Sequence, residues 1–365
     1  MFSWVPLLAV LLTWSLFWSG VPRGLPIGVL DADHSSVSRQ LTRWLAAAPG
    51  LQVAARFDDE TAMQLALRRG EVMAALVVPQ GFARELKTGR GAHAALLHNA
   101  QFATHSGLIQ RDVRSVAGTL AAGVEIVSRE KRGESPLAAK AAFEPMRTSL
   151  VAQYNTALDY EPFLATTLVP ALLQIFAMVA GAWGVGRELR DRTVGAWISA
   201  GGTGLAALIA KWWLPWAALT LVELAFVAAL AGARDWHPAG PLAPVLALHA
   251  LMLAVYVVLG GLAALAARSL RTALSAAGFI TAPAFAFAGV GFPLMAMPAG
   301  AKAWAMALPL THVLAAQTAV WQIGAPASRA APVAAALLLA LVLLTAACMA
   351  LLPRVAGDAR AWGRR

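Results

Sequence analysis

The chain has 365 residues, 59% of them hydrophobic and only 13% charged, with a formal net charge of +10. Soluble domains carry about 25% charged residues, so a wholly soluble enzyme, a disordered chain and a fibrous one are excluded. A polytopic membrane protein with room for one soluble part remains. The cationic excess lies in scattered arginines with no basic block; it fits cytoplasmic loops, and nucleic acid is not the expected partner.

Residues 1–20 form the first expected transmembrane helix. Phe2–Gly20 is apolar or neutral throughout and spans about 28 Å at helical rise. No Lys or Arg precedes Arg23 and no small-x-small site follows, which favours an uncleaved span over a signal peptide. A first span normally has cytoplasmic residues ahead of it, whereas this one starts at Met1, so the N-terminus stays open.

Residues 21–161 hold most of the acidic side chains and alternate between strand and helix patterns. Strands are expected at Leu25–Asp31, Leu51–Phe57, Val72–Val78 and Ala94–Asn99. Helices are expected at Ser35–Ala48, with Asp33 or Ser35 as N-cap, at Asp59–Arg69 ended by Gly70, at Phe82–Lys87, at Ser106–Arg129 and at Pro145–Tyr154. The pattern predicts a small α/β domain with a parallel or mixed sheet.

After Pro162 the chain is almost continuously apolar. Five more spans are predicted, near Phe163–Gly184, Lys211–Ala231, Leu242–Ala266, Thr272–Met295 and Ala331–Leu352. By segment, 162–185 is the second transmembrane helix, 186–204 a cytoplasmic helix, 205–353 four further spans and 354–365 a tail. Arginines cluster around Arg187, around Arg268 and Arg271, and in the tail. The positive-inside rule puts those segments and both termini in the cytoplasm, and 21–161 outside. Near 295–330 the chain forms short mixed stretches suited to re-entrant or interfacial helices, with Trp304 and Trp321 at headgroup level. Pro170, Pro215 and Pro283 should kink or break their spans.

The order of motifs resembles the permease subunit of ABC-2 type exporters. Tyr154–Phe163 (YNTALDYEPF) is similar to the family's YNP…Y..F segment, with Thr156 in place of the proline. Arg187–Trp197 (RELRDRTVGAW) is similar to its RE…GT segment, with Arg192 where glycine is common. Leu308–His312 reads LPLTH before the last span, as in the family. The resemblance implies six transmembrane helices with an extracytoplasmic α/β domain inserted between the first and second. It also implies a coupling role toward a separate ABC ATPase for Arg187, Glu188, Arg190, Asp191, Arg192, Thr193 and Trp197. A second permease chain, identical or paralogous, and a periplasmic adaptor are further implied partners, besides membrane lipid. The implied activity is ATP-driven efflux of a drug, antibiotic or lipid-like compound across the bacterial inner membrane.

The residues supply their own support. Trp183, Val185, Leu189, Val194, Trp197 and Ile198 give an apolar face opposite the charges of that segment. G-x-x-x-x-G-K-[ST] has no match, so ATP and Mg belong to a partner, and no cofactor or catalytic residue is expected here. Glu223, Gln174 and His249 lie within spans; Glu223 should face the bundle or a wet cavity, which makes these three the candidate translocation residues. Lys211 should snorkel at its span's cytoplasmic end. His34, His93, His98 and His105 with Asp31 and Asp33 lack zinc-ligand spacing. Ser35, Ser36 and Ser38 lack a nucleophile elbow. A ligand-sensing or assembly protein whose external domain is the functional part is the rival reading, and a membrane enzyme ranks behind both.

Overall fold

The computed structural model describes residues 4–18, 22–88, 92–98, 103–133, 135, 159 and 161–358. They belong to two compact units, residues 21–151 and residues 1–20 with 152–365. The predicted helix at Pro145–Tyr154, most of the Tyr154–Phe163 motif and the last seven residues lie outside the described residues.

The chain starts with α1 (Trp4–Phe17), 14 described residues long. In the first compact unit, β1 (Leu25–Asp31) leads through α2 (Ser36–Ala47) to β2 (Leu51–Phe57). It continues through α3 (Glu60–Arg69) to β3 (Ala74–Val78), then through α4 (Phe82–Thr88) to β4 (Ala95–His98) and α5 (Ala103–Lys131). The sheet order is β2-β1-β3-β4, with β1 parallel to both neighbours and β4 antiparallel to β3. Alternation on the central strands feeds two cores: Leu25, Ile27, Ala74, Leu76 and Val78 face Leu41, Leu45 and Ile109, while Leu30 and Ala75 face Met63. Burial on both faces explains their continuous apolar runs.

Two carboxylates set the loops at one end of this sheet. Ser35 caps α2 in a capping box with Ser38. Asp31 accepts the Ser38 hydroxyl at 2.7 Å and the N–H groups of Asp33 and His34. Asp33 accepts N–H groups of Gly81 at 2.8 Å and Ala83 at 3.1 Å, so it serves the start of α4 and not that of α2. Burial raises the Asp33 carboxyl, but the Ser35 hydroxyl and the backbone N–H groups of Ala83, Gly81 and Phe82 outweigh it and hold it below its ordinary value.

The second unit is helical. After a π-helical turn at Glu161–Ala165 come α6 (Thr166–Asp191), α7 (Val194–Gly201), α8 (Gly204–Ala233), α9 (Leu242–Ala267), α10 (Leu270–Thr281) and α11 (Ala284–Phe287). α12 (Ala299–Ala307), α13 (Pro309–Gln317), a second π-helical turn at Thr318–Gln322 and α14 (Ala330–Ala356) complete it. Among the described residues, five helical segments are long and apolar enough to cross a membrane, and the bent pair of α12 with Pro309–Gln322 would make a sixth. The bend of 81° falls at Leu308, which is extended (ψ 124°) as a residue before proline must be.

α6 and α9 approach closely through glycine. A Cβ on Gly181 would strike the Val257 carbonyl, and one on Gly260 the Met178 carbonyl. Around this crossing lie the fully buried Leu173, Met178, Tyr256 and Leu219.

Several boundaries differ from the sequence expectation. The span predicted to Met295 stops at Phe287, because Pro283 breaks it and the apolar stretch beyond is irregular. The single helix expected over 186–204 resolves into the last turns of α6 and a separate α7. Trp321 is buried, and its Nε1 donates to the Pro241 carbonyl at 3.2 Å.

Candidate coupling and intramembrane polar sites

Three polar knots join the helices of the second unit. The first lies at the α6–α7 junction. Arg192 ends α6 in the left-handed region (φ 62°), the position where glycine fits without strain; this is the same residue that replaces the glycine of the RE…GT pattern. The turn brings Thr193 back over α6, where its hydroxyl donates to Glu188 Oε2. Lys211 Nζ, from α8, donates to Glu188 Oε1 at 2.5 Å. Lys211 is therefore paired across to α6. Trp197 anchors α7 through Nε1 to the Ala207 carbonyl at 2.9 Å, with the Lys211 ammonium 5.8 Å from its ring centre.

The predicted coupling residues thus separate into two groups. Glu188 and Trp197 are buried and hold α7 to the spans on either side. Arg187, Asp191, Arg192 and Thr193 are exposed, and Arg190 pairs with Asp191 at 2.8 Å while lying over the Trp183 ring.

The second knot lies within the bundle. His249 Nδ1 is 2.9 Å from Glu223 Oε1, and His249 Nε2 is 2.9 Å from Gln317 Oε1. Gln317 Nε2 donates to the Thr166 carbonyl at 3.0 Å. Glu223, His249 and Gln317 are at most 2% exposed, and the Trp321 ring packs edge-on against the imidazole at 5.5 Å. Glu223 Oε2 has no hydrogen-bond partner among the described residues. Two of the three predicted translocation residues therefore meet. Gln174 does not join them; it is fully buried and its amide atoms lack partners among the described residues. Gln317 was missed by the sequence reading, although a glutamine in an apolar helix was a visible signal.

The third knot was not foreseen. Arg234, just beyond α8, donates to both carboxylate oxygens of Glu161 at 2.9 Å and to the Trp18 carbonyl at 2.6 Å. Trp14 Nε1 donates to Glu161 at 2.6 Å, and the guanidinium stacks on Trp18. The Glu161 carboxylate raises Arg234 above the ordinary guanidinium value.

In the sheet unit, His98 Nδ1 lies 2.5 Å from the Ser106 hydroxyl, and Gln110 Nε2 reaches the other ring nitrogen at 3.2 Å. Among the described residues no group of three His, Cys, Asp or Glu converges as metal ligands.

With this geometry in view, the sequence was compared with known proteins. The family profile described as ABC-2 family transporter protein matches residues 1–351. The chain belongs to the ABC-2 transporter family. No curated protein and no solved structure matches it. An ABC-2 permease is the multi-pass membrane subunit of an ABC transporter, a class whose members are transporter subunits rather than enzymes. In this permease the RE…GT segment, Arg187–Trp197, is the α6–α7 junction itself, and LPLTH is the bend between α12 and α13.

Proposed function

We propose that this chain is the permease of an ABC exporter in the bacterial inner membrane, with both termini cytoplasmic and residues 21–161 outside. It works with two copies of a separate ATPase that binds ATP and Mg, and with a second permease chain. Its cargo is an amphiphilic or apolar compound, and a periplasmic adaptor meets the external domain. ATP-driven closure of the ATPases pushes on α7, and the bundle alternates between inward- and outward-open arrangements.

The observation that carries this reading is the Glu188 knot. A short helix mounted on two spans by Glu188, Thr193, Lys211 and Trp197 transmits a push instead of yielding to it. The exposed Arg187, Asp191 and Arg192 beside it supply a charged contact for a soluble partner. Excess Arg in these loops supports their cytoplasmic side.

The test is charge reversal of Arg187→Glu with Arg192→Glu, in cells that also express the ATPase. The expected result is a loss of co-purified ATPase and at least about a tenfold fall in cargo-stimulated ATP hydrolysis, since like charges brought together at an interface cost several kcal/mol. Unchanged co-purification and unchanged hydrolysis would remove the docking assignment.

A further inference from the structure

We propose that Glu223, His249 and Gln317 form an intramembrane proton-binding site that ties its helices together only while Glu223 and His249 hold at least one proton between them. Pro170 has no N–H to give the Thr166 carbonyl, its acceptor four residues back in α6. That carbonyl takes the Gln317 Nε2–H instead, at 3.0 Å. A carbonyl only accepts, so the amide nitrogen of Gln317 must face it and Oε1 must face His249. Oε1 only accepts as well, so His249 Nε2 carries a hydrogen.

One contact remains to be assigned, His249 Nδ1 to Glu223 Oε1 at 2.9 Å. It is a hydrogen bond when one proton lies between the two atoms, on either side. With none, two lone pairs face each other and the bond is lost in a site closed to water. With two, the second proton sits on Oε2 and Oε1 still accepts from the imidazolium N–H. Helix motion that parts α8 from α9 must also part the carboxylate from the imidazole, and the proton goes with one of them. The tie therefore acts as a latch whose strength depends on proton occupancy. Its place in a transport cycle rests on the exporter reading; its proton count does not.

The other ionisable groups on the surrounding helices stand apart from the site. On α6, Arg187, Glu188, Arg190 and Asp191 lie at the far end from Thr166, about 30 Å away at helical rise. On α8, Lys211 is engaged with Glu188, and Arg234 beyond its end with Glu161. On α9, Tyr256 lies about two turns from His249. On α13, His312 bonds the Met306 carbonyl, and on α14 Cys348 contacts the Val258 carbonyl. α10 contributes Arg271, near its first residue.

The test is nitrogen NMR of the full-length protein in lipid nanodiscs with labelled histidine, the His249 signals being assigned with His249→Gln. The expected result at neutral pH is a protonated Nε2 and an Nδ1 signal moved from that of a free imidazole by the proton it shares with Glu223. Glu223→Gln, whose amide N–H can donate to Nδ1, keeps the tie without that proton, so the Nδ1 signal should move to that of a neutral imidazole nitrogen accepting an amide hydrogen. Pro170→Ala returns an N–H to Thr166, frees the Gln317 amide to turn and should mix the two imidazole tautomers. A bare Nε2, or a Glu223→Gln Nδ1 signal identical to that of wild type, would overturn the proposal. Each of these readings is independent of transport, so their failure leaves the exporter reading standing.

Discussion

In the sheet unit, Asp31 and Asp33 accept backbone N–H groups at the ends of strands and the starts of helices. In the helical unit, Glu161, Glu188 and Glu223 pair with side chains that lie 73, 23 and 26 residues away in sequence. The difference follows from the backbone. Loops between strands leave N–H groups that need acceptors, whereas a spanning helix satisfies nearly all of its own. A carboxylate buried among spans must therefore pair with another side chain, and in doing so it joins helix to helix. Losing a carboxylate from the sheet unit should loosen a loop, while losing one from the bundle should loosen an arrangement of helices.

The contrast can be broken most strongly where the bundle has no room at all. Gly260→Val places a branched side chain on the Met178 carbonyl, and forcing the backbones of α6 and α9 apart should abolish folded, membrane-inserted protein. Size-exclusion profiles of the solubilised protein check this; a monodisperse wild-type-like peak would show that the crossing tolerates separation. A smaller effect is expected from Glu188→Ala, which strands the half-buried Lys211 and frees α7. Breaking such a buried pair costs about 3 kcal/mol, and Glu188→Gln should recover part of it by keeping the Thr193 bond. Thermal unfolding of the purified protein separates the two variants.

The smallest effect belongs to the sheet unit. Asp33→Asn removes the charge that holds the Gly81 and Ala83 N–H groups and should cost about 1 kcal/mol, the usual worth of a cap. The depressed Asp33 carboxyl gives this contribution a pH sign. It is fully present above the unfolded value near 3.9, and it is lost as pH falls through the lower folded value. Wild type and Asp33→Asn should therefore differ in stability at neutral pH and converge in strong acid. A constant difference down to pH 2 would assign the effect to something other than the charge.

Much of the sheet unit was legible in the sequence, because its signals are local. The strands at 25–31 and 51–57 appear as predicted, and Gly70 ends α3 in the left-handed conformation. Asp33 was read as a candidate cap for the nearest helix; it serves one 48 residues later, a pairing that spacing does not reveal. In the bundle, hydropathy marked the spans and composition marked Glu223, His249 and Gln174 as polar residues inside them. It could not pair Glu223 with His249 or bring Gln317 to Thr166, because those contacts depend on how the helices pack. The same limit hid Arg234 and Glu161. It also hid the partner of Lys211, which lies on another helix.

The central claim, that α7 receives the ATPase, is tested most directly by cross-linking. The sequence contains one cysteine, the buried Cys348, so a thiol placed at exposed Ala196 by Ala196→Cys supplies the reactive group. In membranes holding both subunits, a short thiol-to-amine reagent should join this position to the ATPase, and ATP should change the yield. An Ala196→Cys permease that transports normally, reacts freely with a soluble maleimide and never cross-links to the ATPase would contradict the account.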